Sequence, residues 1–161
     1  MKKFYISIFL LIFLQACAST SFVEYKPIEI NEVIPVQNKN KTEIYTKARQ
    51  WFTNYFISGE SVIDYEDKES GTIIGKGAAD NGYVNIVSRS RISYKIKVDT
   101  KDNKVRISVS LLNYDISING DPYTKSNLIT AENELTAKNT IEKTLADLKK
   151  YILSDEDAPD W

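Results

Sequence analysis

The residue types that usually carry chemistry are scarce in this 161-residue chain. It has no histidine, and Cys17 is its single cysteine. Serines are plentiful, but a serine nucleophile works with an adjacent base, most often histidine. A Ser–Lys pair remains formally possible, although no local motif supports one. The run Gly71-Thr72-Ile73-Ile74-Gly75-Lys76-Gly77 has the residue types of a phosphate loop without its spacing. Such a loop needs four residues between its first glycine and the Gly-Lys pair, then Ser or Thr opening a helix. Here three residues separate Gly71 from Gly75, Gly77 follows Lys76, and the stretch is strand-like. Glycines in a strand mark a bulge or an aromatic neighbour instead. Asp64, Glu66, Asp67 and Glu69 could supply an acid–base pair, which requires environments that drive two pKa values apart. These four flank a hairpin turn, where water solvates both partners alike.

Cys17 therefore has four readings: nucleophile, metal ligand, half a disulfide, or an attachment point. A disulfide needs a second cysteine. A metal site needs several Cys, His or carboxylate ligands at suitable spacing, and the first acidic residue after Cys17 is Glu24. The flanking sequence favours attachment. Lys2 and Lys3 precede an apolar run from Phe4 to Phe13, broken only by Ser7. That run falls short of the roughly 20 apolar residues of a spanning helix. It fits a secretory signal, with a charged start, a short apolar core and a small residue before the cut. Leu14-Gln15-Ala16-Cys17 resembles the lipobox of bacterial lipoproteins. That resemblance implies palmitate-type acylation of the Cys17 sulfur, cleavage before Cys17, and acylation of the new amine. One acyl chain anchors only marginally, and two membrane signals hold stably. Ala18, rather than Asp, follows the cysteine, which by resemblance to Gram-negative sorting implies the outer membrane, facing the periplasm.

With Lys2 and Lys3 removed, the 21 basic residues fall to 19 against 22 acidic ones, so the mature chain carries −3. That mild negative charge argues against nucleic acid as a partner. Nothing in the sequence calls for a cofactor or a metal. One concentration of positive charge stands out. Arg89, Arg91, Lys95, Lys97, Lys104 and Arg106 alternate with apolar residues and share one predicted sheet face. They read either as a solvated face whose charges discourage edge pairing, or as a patch facing an anion such as a lipid phosphate or an acidic protein segment.

The elements that would position these residues follow from periodicity. Ile28 to Val36 suggest a strand over 32–36, with Pro35 at an edge or strand end. Gln37 to Lys41 form a polar turn. Thr42 is the expected N-cap of a helix, with Glu43 in its first turn. Ile44, Ala48, Trp51, Phe52, Tyr55 and Phe56 make its apolar stripe, while Lys47, Arg49 and Asn54 lie elsewhere on its surface, and Ser58-Gly59 stops it. Trp51, Phe52 and Phe56 either face the core or line a pocket for a small apolar ligand.

Val62–Lys68 and Thr72–Ala78 read as a hairpin around Glu69-Ser70-Gly71. Its expected register sets Tyr65 opposite Gly75 and Asp64 opposite Lys76. A second hairpin turns at Asp102-Asn103. It pairs Val98 with Ile107, Ile96 with Val109, Tyr94 with Leu111 and Asp99 with Arg106. Tyr114 to Ile118 continue as strand before Asn119-Gly120-Asp121-Pro122. Ile141, Leu145, Leu148 and Ile152 define a last helix that begins between Thr130 and Thr136. The expected class is α+β, in the order β-α-β-β-β-β-α, with an antiparallel sheet packed by two helices.

The run "IPVQNKNKTEIYTKARQWFTNYFISGESVIDYEDKESGTIIGKG" resembles the bacterial domain of unknown function 4468, which has a TBP-like fold. The resemblance rests on the Glu43-to-Phe52 helix, the "VIDYEDKESGTIIGKG" hairpin and the alternating strands after it. It covers about Val33 to Tyr114. It implies the same element order, and no activity. The expected layout is a lipoprotein signal peptide over 1–16, a tether over 17–31, a TBP-like domain over 32–153 and an acidic tail over 154–161. The expected protein is not an enzyme. It is a lipid-anchored binding or structural module of the cell envelope, with a carrier of a small apolar ligand as the alternative.

The anchor has a direct check. Cys17→Ser should abolish incorporation of labelled palmitate and leave the unprocessed precursor on a gel. Normal labelling and maturation of that variant would refute the attachment.

Overall fold

The computed structural model describes residues 22–55 and 62–154. Among them the chain runs β1 (Phe22–Glu24), β2 (Glu29–Pro35), α1 (Lys41–Tyr55), β3 (Val62–Asp67), β4 (Thr72–Asn85), β5 (Ser88–Lys101), β6 (Lys104–Ile118), β7 (Thr124–Ser126), β8 (Leu128–Thr130) and α2 (Ala131–Leu153). An antiparallel sheet has the order β2-β6-β5-β4-β3, with β7 pairing the far part of β6. This is the expected α+β architecture, enlarged by three short strands.

The centre of the sheet is the β5–β6 hairpin. Ile92, Tyr94, Ile96 and Val98 alternate with polar residues, as do Val105, Ile107, Val109 and Leu111, and all eight apolar side chains are buried. A one-residue slip would turn each of them to water. The observed pairs are the expected ones, Val98 with Ile107, Ile96 with Val109, Tyr94 with Leu111 and Asp99 with Arg106. Beyond Leu111 the register shifts, leaving Leu112 as the extra, exposed residue, and β6 continues through Ile118 as one strand.

The β3–β4 hairpin departs from its expected register. Ile63, not Tyr65, lies opposite Gly75, because the pairing shifts between Ile63 and Tyr65. Asp64 still reaches Lys76, at 2.9 Å, from that bulge. Gly75 has a different aromatic neighbour. A Cβ placed there would come within 2.5 Å of the Phe52 ring, and one at Gly77 within 2.7 Å of Tyr94. Two aromatic rings thus press on bare backbone, and the one from Phe52 lets α1 sit close to the sheet.

α1 is capped two residues earlier than Thr42. The Asn40 side chain accepts from the Glu43 N–H (3.0 Å), and Glu43 accepts from the Asn40 N–H (2.7 Å). This reciprocal box satisfies two helix-end donors at once. Ile44, Ala48, Trp51 and Phe52 are buried as expected, whereas Tyr55 is partly exposed. Lys47 is not a surface residue: it is 8% exposed and donates to the Ser154 carbonyl. Its long stem packs while its ammonium satisfies the C-terminal end of α2. Phe56 and Ser58-Gly59 lie outside the described residues.

α2 starts within the expected window, capped by Thr130, whose hydroxyl accepts from the Asn133 N–H (3.1 Å). Ile141, Leu145, Leu148 and Ile152 form its buried stripe. The helices join where Trp51 donates its indole N–H to Asp147 at 2.8 Å. Lys149 reaches back to Glu32 of β2.

The expected tether over 17–31 is too long. The fold takes in the chain from Phe22. β1 pairs with β8, Phe22 opposite Thr130, and the Tyr25 hydroxyl donates to the Leu111 carbonyl at 3.2 Å. A three-residue ribbon is too short to show a period, so it was invisible to alternation. The acidic tail beyond Ser154 lies outside the described residues.

Two substitutions test this packing. Trp51→Ala should destabilise by about 3–5 kcal/mol in urea denaturation, since it removes a large buried side chain. Gly75→Ala should cost about 1–3 kcal/mol by overpacking Phe52. Combined with Phe52→Leu, Gly75→Ala should cost less than it does alone, the sign of direct contact. Additive costs would place the strain elsewhere.

Candidate functional site

Both helices pack on one face of the sheet, and no described element covers the other over β2 to β5 near the Asp102 turn. The cationic stripe lies on that uncovered side. The register sets Lys95 beside Ser110, Lys97 beside Ser108 and Arg106 beside Asp99. It therefore brings the six expected residues to one face. It also supplies counter-ions that a linear reading misses. Asp80 of β4 pairs Arg89 at 2.6 Å, and Asp115 of β6 approaches Arg91 at 3.5 Å. Asp99 binds Arg106 at 2.7 Å and Lys97 at 3.1 Å, and accepts from the Thr72 hydroxyl at 3.0 Å. Lys95 stands opposite Lys76 and, like Lys104, forms no ion pair among the described residues. Lys101, opposite Lys104, likewise forms no ion pair, so the face is a lattice of paired charges and short hydroxyls with three open ammonium groups among the described residues. Asn31 and Val33 of β2 extend it to the sheet edge, Val33 well exposed.

Burial alone would raise the Asp99 carboxyl. Hydrogen bonds from Arg106, Lys97 and Thr72 outweigh it and hold the group below its ordinary range.

Among the described residues, the place of the expected apolar pocket is packed. Trp51 and Phe52 are 2% and 3% exposed and meet edge to face at 5.3 Å. Trp51 stacks on Tyr55 at 4.4 Å, and Phe52 occupies the space above Gly75. Phe56, the third residue of that expectation, lies outside the described residues. Burial pushes the Tyr94 phenol, in the same interface, up to about 12, so it stays neutral. An open cleft of about 690 Å³ lies on the other side of α1, lined by Tyr45, Arg49, Thr53, Asn54, Glu66 and Lys68. Its one acid is committed: Arg49 binds Glu66 at 2.8 Å and holds that carboxyl below its usual range. Burial and the Glu66 charge raise the Tyr45 phenol. Neither group is poised near neutral pH, where general acid–base catalysis works best.

The remaining sequence candidates are structural. Asp67 accepts from the Glu69 and Ser70 N–H groups, at 2.9 and 3.3 Å, and so organises the β3–β4 turn. Gly75 and Gly77 lie on β4 under aromatic rings and form no loop. Among the described residues no group of three or more His, Cys, Asp or Glu could hold a metal ion. Cys17 lies outside them.

The Asp99 network makes a pH prediction. A carboxyl held below its unfolded value of about 3.9 contributes stability that is full above that pH and is lost as pH falls through the folded value. Asp99→Asn should therefore destabilise the protein at pH 7, by about 1 kcal/mol because Arg106 and Lys97 are partly screened by water. The gap to wild type should narrow as pH falls below the unfolded value and through the lowered folded one. A gap independent of pH would show that the carboxylate charge contributes nothing.

The fold has solved counterparts. The chain is similar to a TBP-like protein from Parabacteroides distasonis, with a TM-score of 0.64 and 18% identity over 81% of this chain and 95% of that one. It is also similar to a DUF4468 family protein from Bacteroides ovatus, with a TM-score of 0.59 and 15% identity over 81% of this chain and 89% of that one. At these identities the likeness concerns the fold. No curated protein matches the chain. Residues 31–115, the edge strand, the capped helix and most of the three long strands, match the family described as a domain of unknown function (DUF4468) with TBP-like fold, and the chain belongs to that family.

Proposed function

We propose that this chain is a lipid-anchored, non-enzymatic module of the bacterial cell envelope that binds a partner through the uncovered face of its sheet. The observation that carries the reading is the one-sidedness of the fold. Both helices are spent on the inner face, and the outer face presents Ser108, Ser110 and Thr72 with the open ammonium groups of Lys95, Lys101 and Lys104. The anchor is supported by Leu14-Gln15-Ala16-Cys17 and the signal-like run before it, and the outer-membrane, periplasm-facing location by Ala18. No described helix is long and apolar enough to cross a membrane. The bacterial setting is supported by the sources of the two solved neighbours.

The shape of the charge favours a protein or envelope-surface partner over nucleic acid. Phosphate backbones call for a stripe of one sign. Here Asp80, Asp99 and Asp115 interrupt the cations. The alternative, a carrier of an apolar ligand, needs an apolar cavity of several hundred Å³. Phe52 and Tyr94 fill the place it would occupy.

The experiment is a binding assay with residues 18–161, free of lipid, against envelope fractions. Reversing Lys95 and Lys97 to Glu should weaken binding several-fold at low salt, and wild-type binding should fall as salt rises. Reversing Lys95 should change stability by less than about 1 kcal/mol, whereas reversing Lys97 also removes a partner of Asp99 and costs more, so the Lys95 single reversal is measured beside the double one. Equal binding by wild type and the double variant at low and high salt would remove this face from the account.

A further inference from the structure

The two ends of the sheet differ in a way the fold does not require. At one end the turns are Lys68-Glu69-Ser70-Gly71 and Lys101-Asp102-Asn103-Lys104, polar throughout. At the other, the β4–β5 turn is Ile86-Val87, where turn chemistry favours Gly, Asn, Asp or Pro. Ile86 is 98% exposed and Val87 52%. The turn after β6 lies against it, Asn119 donating its N–H to the Val87 carbonyl at 2.8 Å. Ile118 and Tyr123 are exposed there, as is Tyr83 on the β4 side. Arg89 lies over the Tyr83 ring at 5.3 Å and Arg91 over Tyr123 at 4.3 Å, both arginines carrying acidic partners. An apolar tip rimmed by tyrosines and neutralised arginines is the composition of a membrane–water interface. Contiguous exposed apolar surface marks a contact site.

The start of the fold lies at this same end. Phe22, 54% exposed, pairs with Thr130, the cap of α2. Asn133, in the first turn of α2, donates to the carbonyls of Asn81 and Tyr83, just before the apolar turn. Phe22 follows Cys17 by five residues, which span at most ~18 Å when extended. A lipid on Cys17 would hold the apolar end, and not the charged one, against the bilayer.

We infer that the end bearing Tyr83, Ile86, Val87, Ile118 and Tyr123 rests in the headgroup region of the membrane that holds the anchor. The inference relies on the anchor reading proposed above. It fixes an orientation: the strands stand on the membrane, and the uncovered sheet face looks sideways along it, open to a partner in the same plane.

The test uses the full chain, matured and acylated in cells, in vesicles of phosphatidylethanolamine and phosphatidylglycerol containing brominated lipid. Ile86→Trp and Asp102→Trp place the same reporter in the apolar turn and in the polar turn at the opposite end. Both sites are exposed, and circular dichroism confirms that the variants fold. The signal from Trp51 and Trp161 is subtracted using wild type. Quenching of the tryptophan at 86 should exceed that at 102 by about threefold or more, with a blue-shifted emission, as for a side chain at the acyl boundary. Equal quenching at the two positions, with palmitate label present on Cys17, would overturn the orientation and leave the anchor standing. Absence of label on Cys17 would remove the anchor, and the inference with it. Quenching at 86 that rises with protein density, accompanied by cross-linked dimers, would assign the tip to contact between copies and overturn membrane docking.

Discussion

A methyl group at position 75 would lie 2.5 Å from the ring of Phe52. Much of the structure depends on the closeness that this glycine allows. Phe52 against Gly75 sets the height of α1 above the sheet, and Tyr94 over Gly77 extends the contact from the neighbouring strand. Trp51, beside Phe52, can then reach Asp147 and tie α1 to α2. The inner face of the sheet is closed by this stack, from Ile73 at one end to Tyr114 at the other. Because most apolar side chains of the long strands point that way, the opposite face receives the polar half of each alternating strand, with Val33 an exposed exception at its edge. One packing constraint thus makes both the core and the open surface.

Much of this was legible in the sequence, and the places where it was not have physical causes. The β5–β6 register could be read because one alignment satisfied both the apolar alternation and the Asp99–Arg106 pair. The β3–β4 register could not, because Asp64 reaches Lys76 in the bulged arrangement as well. The charge pair did not distinguish the alternatives. The cap of α1 was readable in principle: Asn40 and Glu43 have capping-box spacing, but Thr42 is also a plausible cap residue. The buried stripes of both helices followed from their period. The burial of Lys47 did not, since it depends on the end of α2 lying beside α1.

The candidate surface was half legible. Its cations alternate along adjacent strands and declare a shared face. Its counter-ions Asp80 and Asp115 come from strands whose neighbours are known only once the sheet order is fixed. The apolar end combines the Ile86-Val87 turn, the turn after β6, and the start of the fold at Phe22, which are distant in sequence. The β1–β8 ribbon that brings Phe22 there has too few residues to announce itself.

In this account the molecule has a packed face, an open face, a polar end and an apolar end beside the chain's point of entry, with the open face as the working surface. Lysine reactivity in native envelopes tests that most directly. Intact membranes and purified protein would be treated with an amine-specific reagent, and modification at each lysine measured by mass spectrometry. Lys95 and Lys104 should be protected in membranes relative to the purified protein, while Lys138 and Lys143, on the outer side of α2, react equally in both. Equal reactivity of all four lysines in both settings would contradict the assignment of the open face as the surface that meets a partner.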